Sequence, residues 1–582
     1  MSRLFPKLAL PLLARELTER AASKRTYIVR AIFALLLMTA FWFFASKIFN
    51  RYGGGATSVL GSGQWLFELL VIIQLMGIFL FLPAMMAGQF TIEKERDSLG
   101  LLFLTRLGPW QILFEKYLSG LIPIFSLLLL AMPLGAIAYA FGGVTQTILC
   151  HGIYFLFLTS LQVGALALMC STWCRTTASA FIATCVIGTI LYCLPAFIDS
   201  LLGPLIGHTL SAAFRDRTIG ICPFLIAVYK WHNVSISVLL QQSALAWIST
   251  VLFLVLARCF LVRRAFVKGT NPVLVCFRWL DGRMQRLNRV TGNIRIGKSG
   301  GQLPDAHPIA WRETRKNVLA RPHYLLRILL AVEVPTICYG FVLLLNWPAW
   351  PQQSRIRFLW FFITADNLNA DLTFLNTLLG ALAVLVVSVA AANAFVSERV
   401  QQTLDVLLTT PMSAAQIVAE KARAMRPFLA VVAAPVMTLF LMQWNVKIFT
   451  GYLQLSHSGA WLYLICSLLT LAVYLPLVSW LSLWIGLKMR TRFRAIITAL
   501  MVILIWCVAP LLVPFFVSDA WGWVSYLSPL YLPVINEFRG IQWLAGSFAW
   551  LTIGLNFSVF GAILYFIRRR CLSCADRYLR QA

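Results

Sequence analysis

A chain of 582 residues with 60% apolar residues, only 12% charged residues and a formal net charge of +28 cannot be a soluble globule, because soluble domains carry about 25% charge. Its mean hydropathy of +0.80 and its recurring runs of roughly 20 apolar residues, the length that crosses a 30 Å hydrocarbon core as helix, predict an all-α polytopic membrane protein. No run shows the alternating ten-residue strands of a membrane barrel.

The chain opens with residues 8–25, where apolar and charged groups fall on different faces at helical spacing. This pattern predicts an interfacial helix lying on the membrane surface. No small-residue cleavage pattern precedes an apolar core, so the first span is expected to be retained. Spans are expected near 28–48, 64–89, 117–141, 146–171, 178–199 and 237–262. A segment before the last of these, holding Cys222, Pro223, Phe224 and Val228, is too apolar for a solvated loop and too broken by Pro and Gly for a crossing. It fits either a short helix dipping into the outer leaflet, where irregular backbone must be buried in protein or line a cavity, or an amphipathic surface cap.

Residues 263–306 form a linker with nine Lys or Arg against Asp281 and Asp305, expected to lie against anionic lipid. Within it, Gly292 to Ser299 fits the phosphate-loop pattern GxxxxGK[ST], and Ser299 to Gln302 reads SGGQ. The context excludes a nucleotide site. A phosphate loop needs a buried strand before it and a helix after it, whereas here an Arg-rich segment precedes and Gly-Gly-Gln-Leu-Pro follows. The linker is also too short for a nucleotide-binding domain, which needs on the order of 100 residues.

From residue 307 the pattern begins again. Arg312, Glu313, Tyr324 and Arg327 match Arg15, Glu16, Tyr27 and Arg30 at an offset of 297. Spans follow near 325–346, 370–394, 424–448, 458–487, 495–517 and 545–567, with Ser528, Pro529, Leu530 and Val534 as the second apolar segment before a last span. The chain therefore divides into a first half over 1–262, the linker over 263–306, and a second half over 307–582. In the tail, Cys571 and Cys574 form a lone C-x-x-C without a second pair or His partners, which does not make a zinc site.

With these spans, 38 of the 49 Lys and Arg fall on one side of the membrane, nine on the other, and Arg30 and Arg258 near span ends. The positive-inside rule makes the rich side, with both termini, cytoplasmic. This placement favours lipid headgroups over nucleic acid as partner of the excess charge. The expected location is the inner (plasma) membrane.

The most informative repeat lies between the second and third span of each half. At an offset of 305, Phe90, Glu93, Leu99, Leu102, Thr105, Gln111, Ile112, Glu115 and Lys116 fall on Phe395, Glu398, Leu404, Leu407, Thr410, Gln416, Ile417, Glu420 and Lys421, nine identities in 27 positions. Each copy has a charged start, Glu93 to Asp97 or Glu398 and Arg399, followed by an apolar stripe at i, i+3, i+4: Leu99, Leu102 and Phe103, or Leu404, Leu407 and Leu408. So short a stripe buries too little to hold a helix alone. A partner groove would complete it; the other reading is a helix packed on its own bundle. Two copies at corresponding places favour a shared task.

Each half resembles the permease of type-2 ABC exporters, with an elbow helix, six spans, re-entrant helices before the last span and a coupling helix between spans two and three. The motif stands here as Glu398-Arg399, Thr403-Leu404, Leu407-Leu408, Thr410-Pro411-Met412-Ser413, Gln416-Ile417 and Lys421, with an elbow pattern over His307 to Glu313. The first half departs from it, with Gly100 at a position often acidic and Arg106, Leu107 and Gly108 in place of Pro-x-Ser. The resemblance implies a fused pair of permease halves acting as a pseudo-dimer, without nucleotide or other cofactor in this chain, and a separate ABC ATPase docking on the coupling helices. It implies docking roles for Glu93, Lys94, Arg96, Leu99, Glu398, Arg399 and Leu404, and a path lined mainly by spans two and five of each half.

Glu333, near the middle of the seventh span, is a costly carboxylate in lipid. It fits a translocation-path group or a helix-packing residue, and Met38 lies at the matching depth of the first half. An ion-coupled secondary transporter usually needs several such groups, so that class and a membrane assembly scaffold stand behind the exporter. An enzyme is not expected: HExxH and paired-Asp motifs are absent, and the six His are dispersed.

Overall fold

The computed structural model describes residues 10–22, 24–51, 61–95, 98–105, 107–206, 236–264, 279, 307–316, 322–345, 367–450, 457–489, 491–516, 519–538 and 549–580. The described residues contain helices and turns and no strand. The chain divides into two compact units, Met1–Gly269 and Thr270–Ala582.

In the first unit, α1 (Pro11–Ala21) and α2 (Lys24–Arg51) precede α3 (Gly63–Glu95), the short α4 (Leu99–Phe103), α5 (Pro109–Leu130), α6 (Met132–Ala140), α7 (Gln146–Trp173), α8 (Thr177–Ile206) and α9 (Ile236–Arg264). The second unit contains α10 (Pro308–Lys316), α11 (Pro322–Leu345), α12 (Asn367–Val400), α13 (Leu404–Leu408), α14 (Ala414–Ala424), α15 (Arg426–Thr450), α16 (His457–Lys488) and α17 (Arg492–Phe516). A 3-10 turn over Asp519–Leu527, then α18 (Tyr531–Phe538), α19 (Ala549–Ser573) and α20 (Ala575–Arg580) complete it. Among the described residues nine helical stretches are long and apolar enough to cross a membrane, which identifies an all-α, multi-pass membrane protein. Of the other expected spans, those in α2 and α8 contribute shorter apolar stretches, Arg30–Ser46 and Thr177–Tyr192.

Glycines at helix crossings set the packing of both units. In the first, Met86 of α3 fills the space beside Gly120 of α5 and Gly164 of α7, and Ser171 of α7 donates to the Ala87 carbonyl while accepting from the Phe90 amide at 3.0 Å. In the second, Gly486 of α16 lies against the Ala392 backbone of α12. Around that crossing Val396, Leu477, Leu481, Ile485, Ala499 and Phe560 form a buried core. Pro83, Pro123, Pro335, Pro435 and Pro476 lie inside helices, a placement that packed membrane helices tolerate because neighbours re-satisfy the freed carbonyls.

Several sequence expectations fall outside the described residues: Cys222, Pro223, Phe224 and Val228, the motif at 292–302, and Arg96. The second apolar segment is present as the 3-10 turn and α18.

Candidate functional site

The inserts are where the two halves show the same construction. At the start of each following helix, a Glu-Lys pair reaches back to the first helix of its unit, α1 or α10. In the first half, Glu115 Oε2 accepts from the Leu12 amide at 2.7 Å and the Leu13 amide at 3.0 Å, so a carboxylate from α5 caps the exposed donors and positive dipole end of α1. Lys116 Nζ beside it lies 3.1 Å from Glu16 Oε1 of α1 and 3.2 Å from Glu93 Oε1 at the end of α3. Ser98 donates to Glu93 Oε2 at 2.9 Å.

The second half repeats this residue for residue. Glu420 Oε2 accepts from the Ile309 amide at 2.8 Å and the Ala310 amide at 3.3 Å. Lys421 Nζ lies 3.5 Å from Glu313 Oε1 and 3.4 Å from Glu398 Oε1, and Thr403 donates to Glu398 Oε2. Each clamp thus joins α1 or α10, the end of one long helix and the start of the next through one buried ammonium. The pairings Glu16/Glu313, Glu93/Glu398, Ser98/Thr403, Glu115/Glu420 and Lys116/Lys421 keep the offsets of the repeat.

A second cation in each half holds helix C-termini. Lys94 donates to the carbonyls of Ser171 at 2.9 Å, Cys174 at 3.1 Å, and Thr172 at the end of α7. Arg399 donates to the carbonyls of Met489 at 2.7 Å and Leu487 at the end of α16, and to that of Tyr578 at 2.9 Å. Cations at these carbonyls complement the negative dipole end. Of the residues expected at the docking face, Glu93, Lys94, Glu398 and Arg399 are therefore engaged within their own half, and Glu398 is 1% exposed.

The apolar stripe is also completed from within. Leu404 and Leu407 are buried with Ile309, Phe395, Ile417, Leu487 and Leu579, and Leu99 is likewise buried. What α4 and α13 present outward is a different set. Leu101 is 67% exposed, Leu104 81% and Val406 65%, beside Asp405, Thr409 and Thr410. After this turn Ser413 opens α14 with a capping box, accepting from the Gln416 amide while Gln416 accepts from the Ser413 amide.

A second polar constellation lies toward the other end of the same helices. Between Asn376 and Glu398, α12 runs about 33 Å at 1.5 Å per residue. At this far end Glu537 Oε1, on α18, accepts from Asn376 Nδ2 of α12 at 2.7 Å and the Tyr463 hydroxyl of α16 at 2.9 Å. Tyr463 also lies 3.0 Å from Gln443 Oε1 of α15. Asn536 Nδ2 donates to Ser467 Oγ at 2.9 Å and the Tyr463 carbonyl at 3.2 Å. Lys447 Nζ of α15 sits 3.5 Å from the backbone carbonyls of Asn536 and Glu537 and 3.5 Å from the centre of the Tyr463 ring. Burial pushes the Glu537 carboxyl above the ordinary carboxylate range, against the opposing pull of Lys447 and of hydrogen bonds from Tyr463, Gln443 and Asn376.

Sequence reasoning passed over this knot because Glu537 follows a Pro-broken segment and Lys447 reads as an ordinary span end. The available signal was polarity at matching depth in four neighbouring apolar segments: Asn376, Gln443, Tyr463 and Asn536. Glu333 in α11 is half-buried, with Oε2 enclosed and, among the described residues, without a hydrogen-bond partner. Among the described residues no three His, Cys, Asp or Glu gather to hold a metal ion. No family model matches the chain, and no curated protein is significantly similar to it.

Proposed function

We propose that this chain is the transmembrane permease subunit of an ATP-driven ABC exporter, its two six-span halves fused as a pseudo-dimer in the inner membrane. Both termini are cytoplasmic, and the chain carries no nucleotide site of its own. The observation that carries this reading is the clamp built twice, in register, beneath each insert. A device that fixes one short helix to its elbow and to two long helices makes that helix a rigid lever. Leu101, Leu104 and Val406, exposed on the tips in water, give a separate ATPase dimer an apolar grip. Glu93, Lys94, Leu99, Glu398, Arg399 and Leu404 hold the levers from below. On this reading α1 and α10 lie at the cytoplasmic interface, twelve helices span the bilayer, and Glu333 faces the path.

The test is co-purification with a candidate ATPase. Leu104→Glu combined with Val406→Glu places charge on both tips without touching a clamp, and is expected to abolish the complex while the permease keeps its elution profile and thermal midpoint. A complex of undiminished yield in that double variant sinks the docking assignment.

Ion-coupled transport gains support from one observation, the buried Lys447 and Glu537 at the far end, since such transporters place charge inside the bilayer. Transport by the purified chain in vesicles lacking any ATPase would select that reading over the first.

A further inference from the structure

The far end of the second half is fastened by side chains from several helices at once. Among the described residues of the first half, the start of α3 meets the end of α6 backbone on backbone. The Gly61 amide donates to the Phe141 carbonyl at 3.0 Å, Gly143 with φ 79° packs on Gly61, and Gly63 lies against the carbonyls of Ala138 and Gly142. At the insert's offset of 305, Asn376, Gln443, Lys447 and Tyr463 correspond to Val71, Ala138, Gly142 and Leu158, none of which carries a charge or a side-chain hydrogen-bonding group.

We propose that Glu537 and Lys447 form a polar latch that holds the short helix α18, the carboxyl through Asn376 of α12 and Tyr463 of α16, and the ammonium of α15 through the α18 backbone carbonyls. The second half thereby acquires a rigid far end, which opens when these hydrogen bonds are removed. Three features carry the inference. The carboxylate bonds to two different long helices through one oxygen. The ammonium lies against the last-turn carbonyls of α18, where a cation complements the helix terminus. Lys447 is 3% exposed and Glu537 Oε2 is enclosed, so the contacts with α18 and its neighbours are what satisfy these groups. Among the described residues the other ionisable groups around Glu537 are Tyr463 and Cys466, both on α16.

The latch leans on none of the export reading, because it concerns the order of α18 alone. It is tested by hydrogen exchange on the purified full-length chain in detergent, followed by mass spectrometry over residues 531–538. Glu537→Gln keeps the size of the side chain and removes its charge; Tyr463→Phe removes a single hydroxyl. Loss of a hydrogen bond to a charged group is large enough to speed local opening by about tenfold or more. Both variants should therefore show such acceleration in α18, with α13 and α14 unchanged. Unaltered exchange in α18, or acceleration spread equally over α13 and α14, overturns the proposal. If Glu537→Gln does not yield folded protein, Tyr463→Phe decides alone.

Discussion

Lys421→Met is expected to cost the second half about 3–5 kcal/mol, the range for removing one partner of a buried ion pair. Its ammonium is 3% exposed and lies between Glu313 and Glu398, with Glu398 itself 1% exposed. Methionine fills the space, so the loss is one of charge and hydrogen bonding, including the bond to the Ala394 carbonyl at 3.0 Å. The matching Lys116→Met should cost less, because Glu16 and Glu93 are more open to solvent and water screens what the ammonium no longer does. The measurement is the thermal midpoint of the detergent-solubilised protein. Adding Glu398→Gln to Lys421→Met removes the stranded carboxylate and should restore part of the loss, the non-additivity expected of groups in contact. Equal midpoints for wild type and Lys421→Met would mean that the clamp bears no weight.

Gly486→Val has the second large expected effect. A Cβ at this position would stand 2.3 Å from the Ala392 carbonyl oxygen, and the obstacle is backbone, which cannot rotate aside. Helices α12 and α16 must then part, loosening the core around Val396, Leu481 and Ile485, and overpacking of this kind costs about 1–3 kcal/mol or more. Gly554→Ala is the control. A Cβ there meets open space, so the change should be neutral or stabilise by up to about 1 kcal/mol through helix propensity. A thermal midpoint for Gly486→Val equal to that of Gly554→Ala would show that the crossing tolerates a side chain.

Much of this architecture is written in the chain, because a membrane helix must satisfy its own backbone and advertises itself by a long apolar run. The expected spans near 64–89, 146–171 and 458–487 lie inside α3, α7 and α16, and the nine-identity repeat already contained both Glu-Lys pairs. What the linear pattern could not tell is which charges meet. Glu16 is 100 residues from Lys116, so the charged start of each insert reads as a solvent-facing surface until α1 or α10 is folded against it. The apolar stripe leaves its cover open for a similar reason. Leu404 and Leu407 need cover, and amphipathic spacing is silent on whether another chain or residues such as Leu579, far along the same chain, provide it. Residues 519–538 were legible as irregular but not as polar inside, since Glu537 finds its partners on α12 and α16 and its countercharge on α15.

The third bond made by Arg399 has a consequence for how the second half is closed. Because its guanidinium spans the Leu487 and Met489 carbonyls and the Tyr578 carbonyl together, the short helix α20 is a keystone of this unit. Ala575 and Leu579 seat it against Leu483, Leu487 and Ile417, beside Cys571 of α19. A chain emerging from the ribosome can therefore assemble the clamp of its first half early, but it cannot finish the foundation of the second until residues 575–580 have been made.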